Sequence, residues 1–127
     1  MAIAYFGSNG YTVSLPLNDT QDYDLIVDKD GELKKIQAKA TNHKTPQGFY
    51  QVGLRSCGGT NGGVYKTVVD TNIDYLFILC GDQSMFLIPK EFIRNRNSIT
   101  LRKESSYDIS EKNKSDHTDY SKFLVML

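Results

Sequence analysis

The chain has 127 residues, with 15 basic and 15 acidic side chains that cancel to a formal charge of zero. That length suits one domain able to bury a core without staples, and the neutral balance argues against a binder that works by bulk positive charge alone. No run is long or apolar enough to span a membrane, no signal peptide opens the chain, and two cysteines without CxxC spacing read as free thiols in a reducing, cytoplasmic setting.

Residues 1–8 read as a short helix with an apolar face of Ala2, Ile3, Tyr5 and Phe6, stopped by Asn9-Gly10. Residues 11–15 read as a strand ended by Pro16, and residues 18–21 as a polar loop. The next stretch, residues 22–41, organises the rest. Two β-prone runs flank Asp30-Gly31, a dipeptide that closes tight hairpins. With that tip, Lys29 faces Glu32, Asp28 faces Leu33, and Asp24 lies opposite Gln37. Side chains alternate along a strand, so Gln37 and Lys39 share a face, and Lys39 sits diagonally from Asp24.

One acid, one amide and one lysine therefore converge. The Asp24 carboxylate is a hard oxygen ligand suited to magnesium, and the Ala38 carbonyl and the Gln37 side-chain oxygen can add to it. Lys39 beside such an ion can position water or stabilise charge on a phosphate oxygen. Spacing alone fits an ordinary solvated hairpin face better.

Residues 41–48, with Pro46, form a turn region, and residues 49–56 read as one strand. Tyr50, Val52 and Leu54 alternate there with Gln51, Gly53 and Arg55. If the polar face continues that of Gln37 and Lys39, Gln51 and Arg55 extend the site; otherwise they are a plain exposed face. The glycine-dense residues 57–63 do not match a phosphate-binding Walker loop. They read as a mobile loop flanked by Arg55 and Lys66, either gripping a DNA backbone or simply connecting strands. Charge is asymmetric: residues 1–28 hold four acids and no Lys or Arg, whereas residues 29–66 hold seven bases against two acids. An acidic pocket beside a basic surface suits a metal-dependent nuclease.

Residues 73–80 form a nearly continuous apolar run, expected as a buried central strand. A turn at 81–84 leads to an adjacent strand at 85–88, and Pro89 starts a helix over 89–93. Residues 94–101 are basic and partly β-prone. Residues 103–122 are polar and read as a loop or arm, and residues 123–127 as an apolar segment for the core or a subunit interface. His43 and His117 read as surface residues. The expected fold is α/β or α+β, a central mixed β-sheet with a four-strand portion containing the hairpin, flanked by helices. Residues 1–102 form the core. Residues 103–127 belong to the same domain or to an oligomer contact.

The run Asn18-Asp19-Thr20-Gln21-Asp22-Tyr23-Asp24-Leu25-Ile26-Val27, followed by Ile36-Gln37-Ala38-Lys39 and later by Arg55-Ser56-Cys57-Gly58-Gly59, resembles the PD-(D/E)xK nuclease superfamily. It is most similar to the group I intron-associated homing endonucleases, which also place Gln where most relatives have Glu or Asp. The likeness runs over residues 2 to 93. It implies a restriction-endonuclease-like fold and a DNA endonuclease using Mg2+, with Mn2+ able to substitute. It also implies Asp24, Gln37 and Lys39 as catalytic residues, Asp24, Gln37 and Ala38 as metal ligands, and a homo-oligomer, dimer or tetramer. The basic surface offers Lys35, Lys44, Gln51, Arg55 and Lys66 to DNA. In that family a metal-site glutamate lies on the first helix just before the matched segment, and no Glu precedes Ala2 here. Three functions are compatible with this pattern: a homing-type endonuclease, a Holliday junction resolvase-like nuclease, and a catalytically impaired DNA-binding module of the same fold.

Overall fold

The computed structural model describes residues 1–18, 20–58, 64–68, 71–93, 97–104 and 119–126, with backbone only for 55–58 and 64–67. Its elements are α1 (Ala2–Ser8), β1 (Thr12–Ser14), β2 (Leu25–Lys29), β3 (Glu32–Thr41), β4 (Tyr50–Gly53), β5 (Arg55–Gly58), β6 (Val64–Thr67), β7 (Tyr75–Cys80), β8 (Met85–Pro89), β9 (Ser98–Leu101) and β10 (Leu124–Val125). Six strands make one mixed sheet in the order β1-β2-β3-β7-β8-β10, and β4-β9 and β5-β6 form two separate ribbons.

The central hairpin has the expected register, Lys29 opposite Glu32 through Leu25 opposite Ile36. Asp30 and Gly31 both take positive φ, 56° and 85°, the signature of the primed turn whose twist matches the flanking strands. Beyond the hairpin, β3 runs parallel to β7, pairing Ile36 with Tyr75 through Thr41 with Cys80. Asp74 keys this junction. Its carboxylate accepts the Lys35 N–H at 2.8 Å, its own N–H donates to the Lys35 carbonyl, and its carbonyl accepts from Lys90.

The β7 run is apolar throughout because both faces of this strand are covered. On one face, Phe6 of α1 packs with Leu25, Val27, Ile36, Phe77 and Met85. On the other, Leu76, Ile78, Phe86 and Ile88 meet Val52, Leu54, Ile99 and Leu101. This second layer is where the structure departs from expectation. Among the described residues there is one α-helix, and the far face of the sheet carries the ribbon β4-β9 instead of a helix. The helix expected over 89–93 is a single 3₁₀ turn, Lys90–Phe92, because Ile93 returns to extended backbone and is buried in the core.

The strand expected over 49–56 is likewise two strands. Leu54 is the pivot: its N–H donates to Asn97, its carbonyl accepts from Val68, and its buried side chain anchors the core. The chain leaves one ribbon and enters the other at that residue. Gln51 and Arg55 therefore do not share one strand face. At the C-terminus, Leu124 and Val125 pair with Phe86 and Met85, and Phe123 packs 4.9 Å from Phe92, centroid to centroid. These apolar residues lie against the chain's own core rather than forming a free patch, and Leu127 lies outside the described residues, as do the glycine loop at 59–63, His117 and most of the polar arm. Cys80 is a buried free thiol whose pKa is pushed up by burial.

Candidate active site

Strand β2 stops at Leu25 while β3 continues to Thr41, so among the described residues no strand pairs with the far half of β3 on its β2 side. Asp24 stands at that step. Its N–H donates to the Ile36 carbonyl at 2.8 Å, and its Oδ2 accepts the Ala38 N–H at 2.7 Å. The side chain thus takes the place the next ladder bond would occupy and is held against β3 while remaining exposed. In an extended strand a residue's N–H and C=O point the same way, so the Ala38 carbonyl faces this same open edge.

The hairpin register puts Gln37 opposite Asp24 and on its face of the sheet. Gln37 is half-buried, and its Oε1 is a buried acceptor without a hydrogen-bond partner. Asp28 Oδ1 is a second such orphan; buried acceptors are normally satisfied, and a bound cation is one partner that the Gln37 oxygen could take. Among the described residues no three Asp, Glu, His or Cys side chains cluster well enough to hold a metal. The available donors are one carboxylate and neutral oxygens, a hard set suited to Mg2+ or Mn2+ rather than to softer metals.

Lys39 follows on the same face, half-buried, and lines a cavity of about 420 Å³ with Thr41, His43, Gln51, Gly53 and Ser98. Asp24 and Lys39 also border a shared opening on the α1 side, between Ile3, Leu15 and Ala38. Of the expected DNA contacts whose side chains are described, Gln51 is the one brought beside Lys39. Its backbone carbonyl accepts from Thr41 Oγ1 at 2.6 Å and its Nε2 donates to Ser98 Oγ at 3.3 Å. Lys35 is on the same face of β3 but lies 5.6 Å from the Tyr23 ring, and Lys44 lies 5.0 Å from the Tyr50 ring. Arg55 and Lys66 fall on the second ribbon, where the described backbone pairs Ser56 with Lys66. Their side chains lie outside the described residues. Ser98 and His43 were not singled out from the sequence as site residues; the alternation Ser98-Ile99-Thr100-Leu101 is the signal that marks a half-buried strand there.

A sequence profile of the PD-(D/E)XK endonuclease family matches residues 1–123. The chain belongs to that family. It is 32% identical over 108 residues to Protein 5.3 of Escherichia phage T7, spanning 83% of this chain and 86% of that protein. Its fold is similar to that of I-Ssp6803I, a bacterial homing endonuclease, with a TM-score of 0.72 over 97% of this chain and 80% of the other, at 21% identity. Among the described residues, the restriction-endonuclease-like fold of this PD-(D/E)XK member is thus built on a mixed sheet with one α-helix on one face and the ribbon β4-β9 on the other.

Proposed function

We propose that this PD-(D/E)XK protein is a divalent-metal-dependent endodeoxyribonuclease, homing-endonuclease-like in its choice of duplex DNA. Asp24, Gln37 and Lys39 would be its catalytic residues. The observation that carries this reading is the Asp24 carboxylate pinned on the Ala38 N–H, between Gln37, whose Oε1 is an orphaned buried acceptor, and Lys39 along β3. Asp24, the Ala38 carbonyl and Gln37 Oε1 would hold Mg2+, with Mn2+ able to replace it. When bound, such an ion polarises a phosphoryl oxygen and lowers the pKa of attached water.

The chain's own groups do the remainder. The bond to Ala38 keeps the carboxylate from swinging into solvent. Lys39 presents ammonium donors to the phosphate, stabilising the charge that builds on its oxygens as water's oxygen joins phosphorus and the leaving P–O bond breaks. Lys35, Lys44, Gln51, Arg55 and Lys66 would contact the DNA. Association into a dimer or tetramer belongs to this proposal, because a chain of this size covers only part of a long duplex site. Light scattering of the chain with and without DNA tests that element, and a monomer in both cases removes it.

The test of the activity is a cleavage screen with Mg2+, with Mn2+ and with chelator, on linear duplexes and four-way junctions. Metal-dependent cutting of a linear duplex at a preferred position supports the proposal. Cutting confined to four-way junctions would replace it with a resolvase-like function. Binding without cutting under either metal would make the chain a DNA-binding module on this fold.

A further inference from the structure

The ribbon β4-β9 separates its side chains cleanly. Tyr50, Val52, Ile99 and Leu101 pack into the core, with Val52, Ile99 and Leu101 buried. The opposite face carries Gln51 across from Thr100 and Gly53 across from Ser98. One step further along, the Arg102 guanidinium lies 4.4 Å from the centroid of the Phe49 ring. Residues 38–53 and 97–102 together contain Lys39, Lys44 and Arg102 and no carboxylate. The polar face is continuous with the cavity that holds Lys39, since Gln51, Gly53 and Ser98 line both.

We propose that this face of the β4-β9 ribbon enters the major groove of duplex DNA, where Gln51, oriented by Ser98, reads an adenine and Arg102 holds the flanking phosphate. The proposal rests on the reading of the chain as a DNA nuclease. It adds the element that selects sequence. A two-stranded ribbon fits the major groove, and the paired acceptor and donor of a glutamine amide match adenine N6 and N7. The hydrogen bond from Gln51 Nε2 to Ser98 Oγ uses one amide hydrogen and fixes the plane of the group. The second amide hydrogen remains for adenine N7, and Oε1 remains to accept from N6. The Phe49 ring restrains the Arg102 guanidinium lying over it, and a planar guanidinium suits a two-pronged grip on phosphate oxygens. Complementary charge brings the groove's phosphates to a surface without acids.

The experiment is selection of bound sequences from a randomised duplex pool by the full chain with Ca2+ in place of Mg2+, repeated for Gln51→Ala, Ser98→Ala and Arg102→Ala. Cleavage of the same pool in Mg2+ is measured separately. The wild-type chain should enrich a motif containing an A·T pair. Gln51→Ala should lose preference at that pair by roughly 5- to 150-fold while keeping preferences elsewhere. Ser98→Ala, which leaves Gln51 in place, should weaken preference at the same pair without moving others, a pattern that a general loss of folding would not produce. Arg102→Ala should weaken all sequences alike and reduce the salt dependence by about one phosphate contact. No enriched motif, or a motif unchanged in both Gln51→Ala and Ser98→Ala, overturns the proposal. An altered motif in a chain that never cuts upholds the ribbon and removes the nuclease reading; cutting with an unchanged motif does the reverse.

Discussion

Asp24→Asn separates a chemical role for the carboxylate from a structural one. The Asp24 side chain makes one described hydrogen bond, from the Ala38 N–H, at an exposed position. A bond to a charged acceptor is worth about 1.5–3 kcal/mol where solvent is excluded, and solvent screening at this site brings it nearer 1 kcal/mol. Asparagine keeps an acceptor oxygen of the same shape, so the loss of stability should be below about 1 kcal/mol. For a domain of this size that is a fall in Tm of at most about 3–6 °C. The catalytic loss is of another order. Removing the one charged ligand from the donor set should slow cleavage at least a thousandfold, about 4 kcal/mol in the barrier. Asp24→Ala removes the acceptor as well and should lower Tm further than the asparagine variant while cutting no better.

The assay is single-turnover cleavage over a range of Mg2+ concentrations, with thermal melts and DNA binding on the same preparations. The expected result is a folded, DNA-binding Asp24→Asn chain whose residual rate needs far more metal than wild type. Cleavage within threefold of wild type at equal Mg2+ would refute the ligand assignment. A large drop in Tm that accounts for the lost activity would make Asp24 a structural residue.

Lys39→Ala should reduce the saturated single-turnover rate by roughly a hundred- to a thousandfold with nearly unchanged DNA affinity, the loss typical of one preorganised donor; weaker affinity with an unchanged saturated rate would make Lys39 a backbone contact. Ile36→Ala, at a fully buried position between Leu25 and Tyr75, should destabilise the fold by about 2–5 kcal/mol, read from denaturant midpoints at constant slope. Lys103, and then Ser84, hold the Asp82 carboxyl well below the usual carboxylate range. A depressed carboxyl stabilises the fold above its unfolded pKa and loses that contribution as pH falls toward its folded value. The Tm difference between wild type and Lys103→Ala should therefore be present at pH 7 and shrink on acidification below pH 4; a difference constant with pH would exclude the pair.

The parts of the fold legible from sequence are those written locally. Asp30-Gly31 needs positive φ at both positions, and few other dipeptides accept it, so the tip and its register follow from two residues. The run ending at Cys80 is apolar on both faces because it lies between two packed layers, and that too is visible residue by residue. Pairings between distant strands are not local. Nothing in residues 50–53 names residues 98–101 as partners, and an alternating segment is satisfied by any strand of suitable length. The break at Leu54 is hidden for the same reason: its backbone bonds go to Asn97 and Val68, remote in sequence, while its own side chain continues the alternation. The expectation that Asp24, Gln37 and Lys39 share a face needs only one tight turn, whose register the structure bears out from Leu25 to Glu32, whereas Ser98 reaches Gln51 only through a strand pairing that no turn dictates.

The position of the candidate site follows from a mismatch in strand length. An uncovered strand edge exposes backbone groups and invites unwanted pairing with another chain. Here the edge opens because β2 ends at Leu25 while β3 runs on, and the Asp24 side chain occupies the first backbone position beyond the step. Its negative charge and the bond to Ala38 blunt that edge without covering it, leaving the Ala38 carbonyl free of a β2 partner. Rigidity comes from the other side of β3, where pairing from Ile36 to Thr41 fixes the strand to the buried β7. The side chains of Gln37 and Lys39 are thus carried by a strand tied on one edge to the core and open on the other to a ligand. If the proposed metal-assisted chemistry takes place here, it requires preorganisation of this kind, since small displacements of positioning groups cost large factors in rate. Lengthening β2 across the step should therefore stabilise the edge and suppress cleavage together, the opposite of what a site elsewhere on the sheet would show.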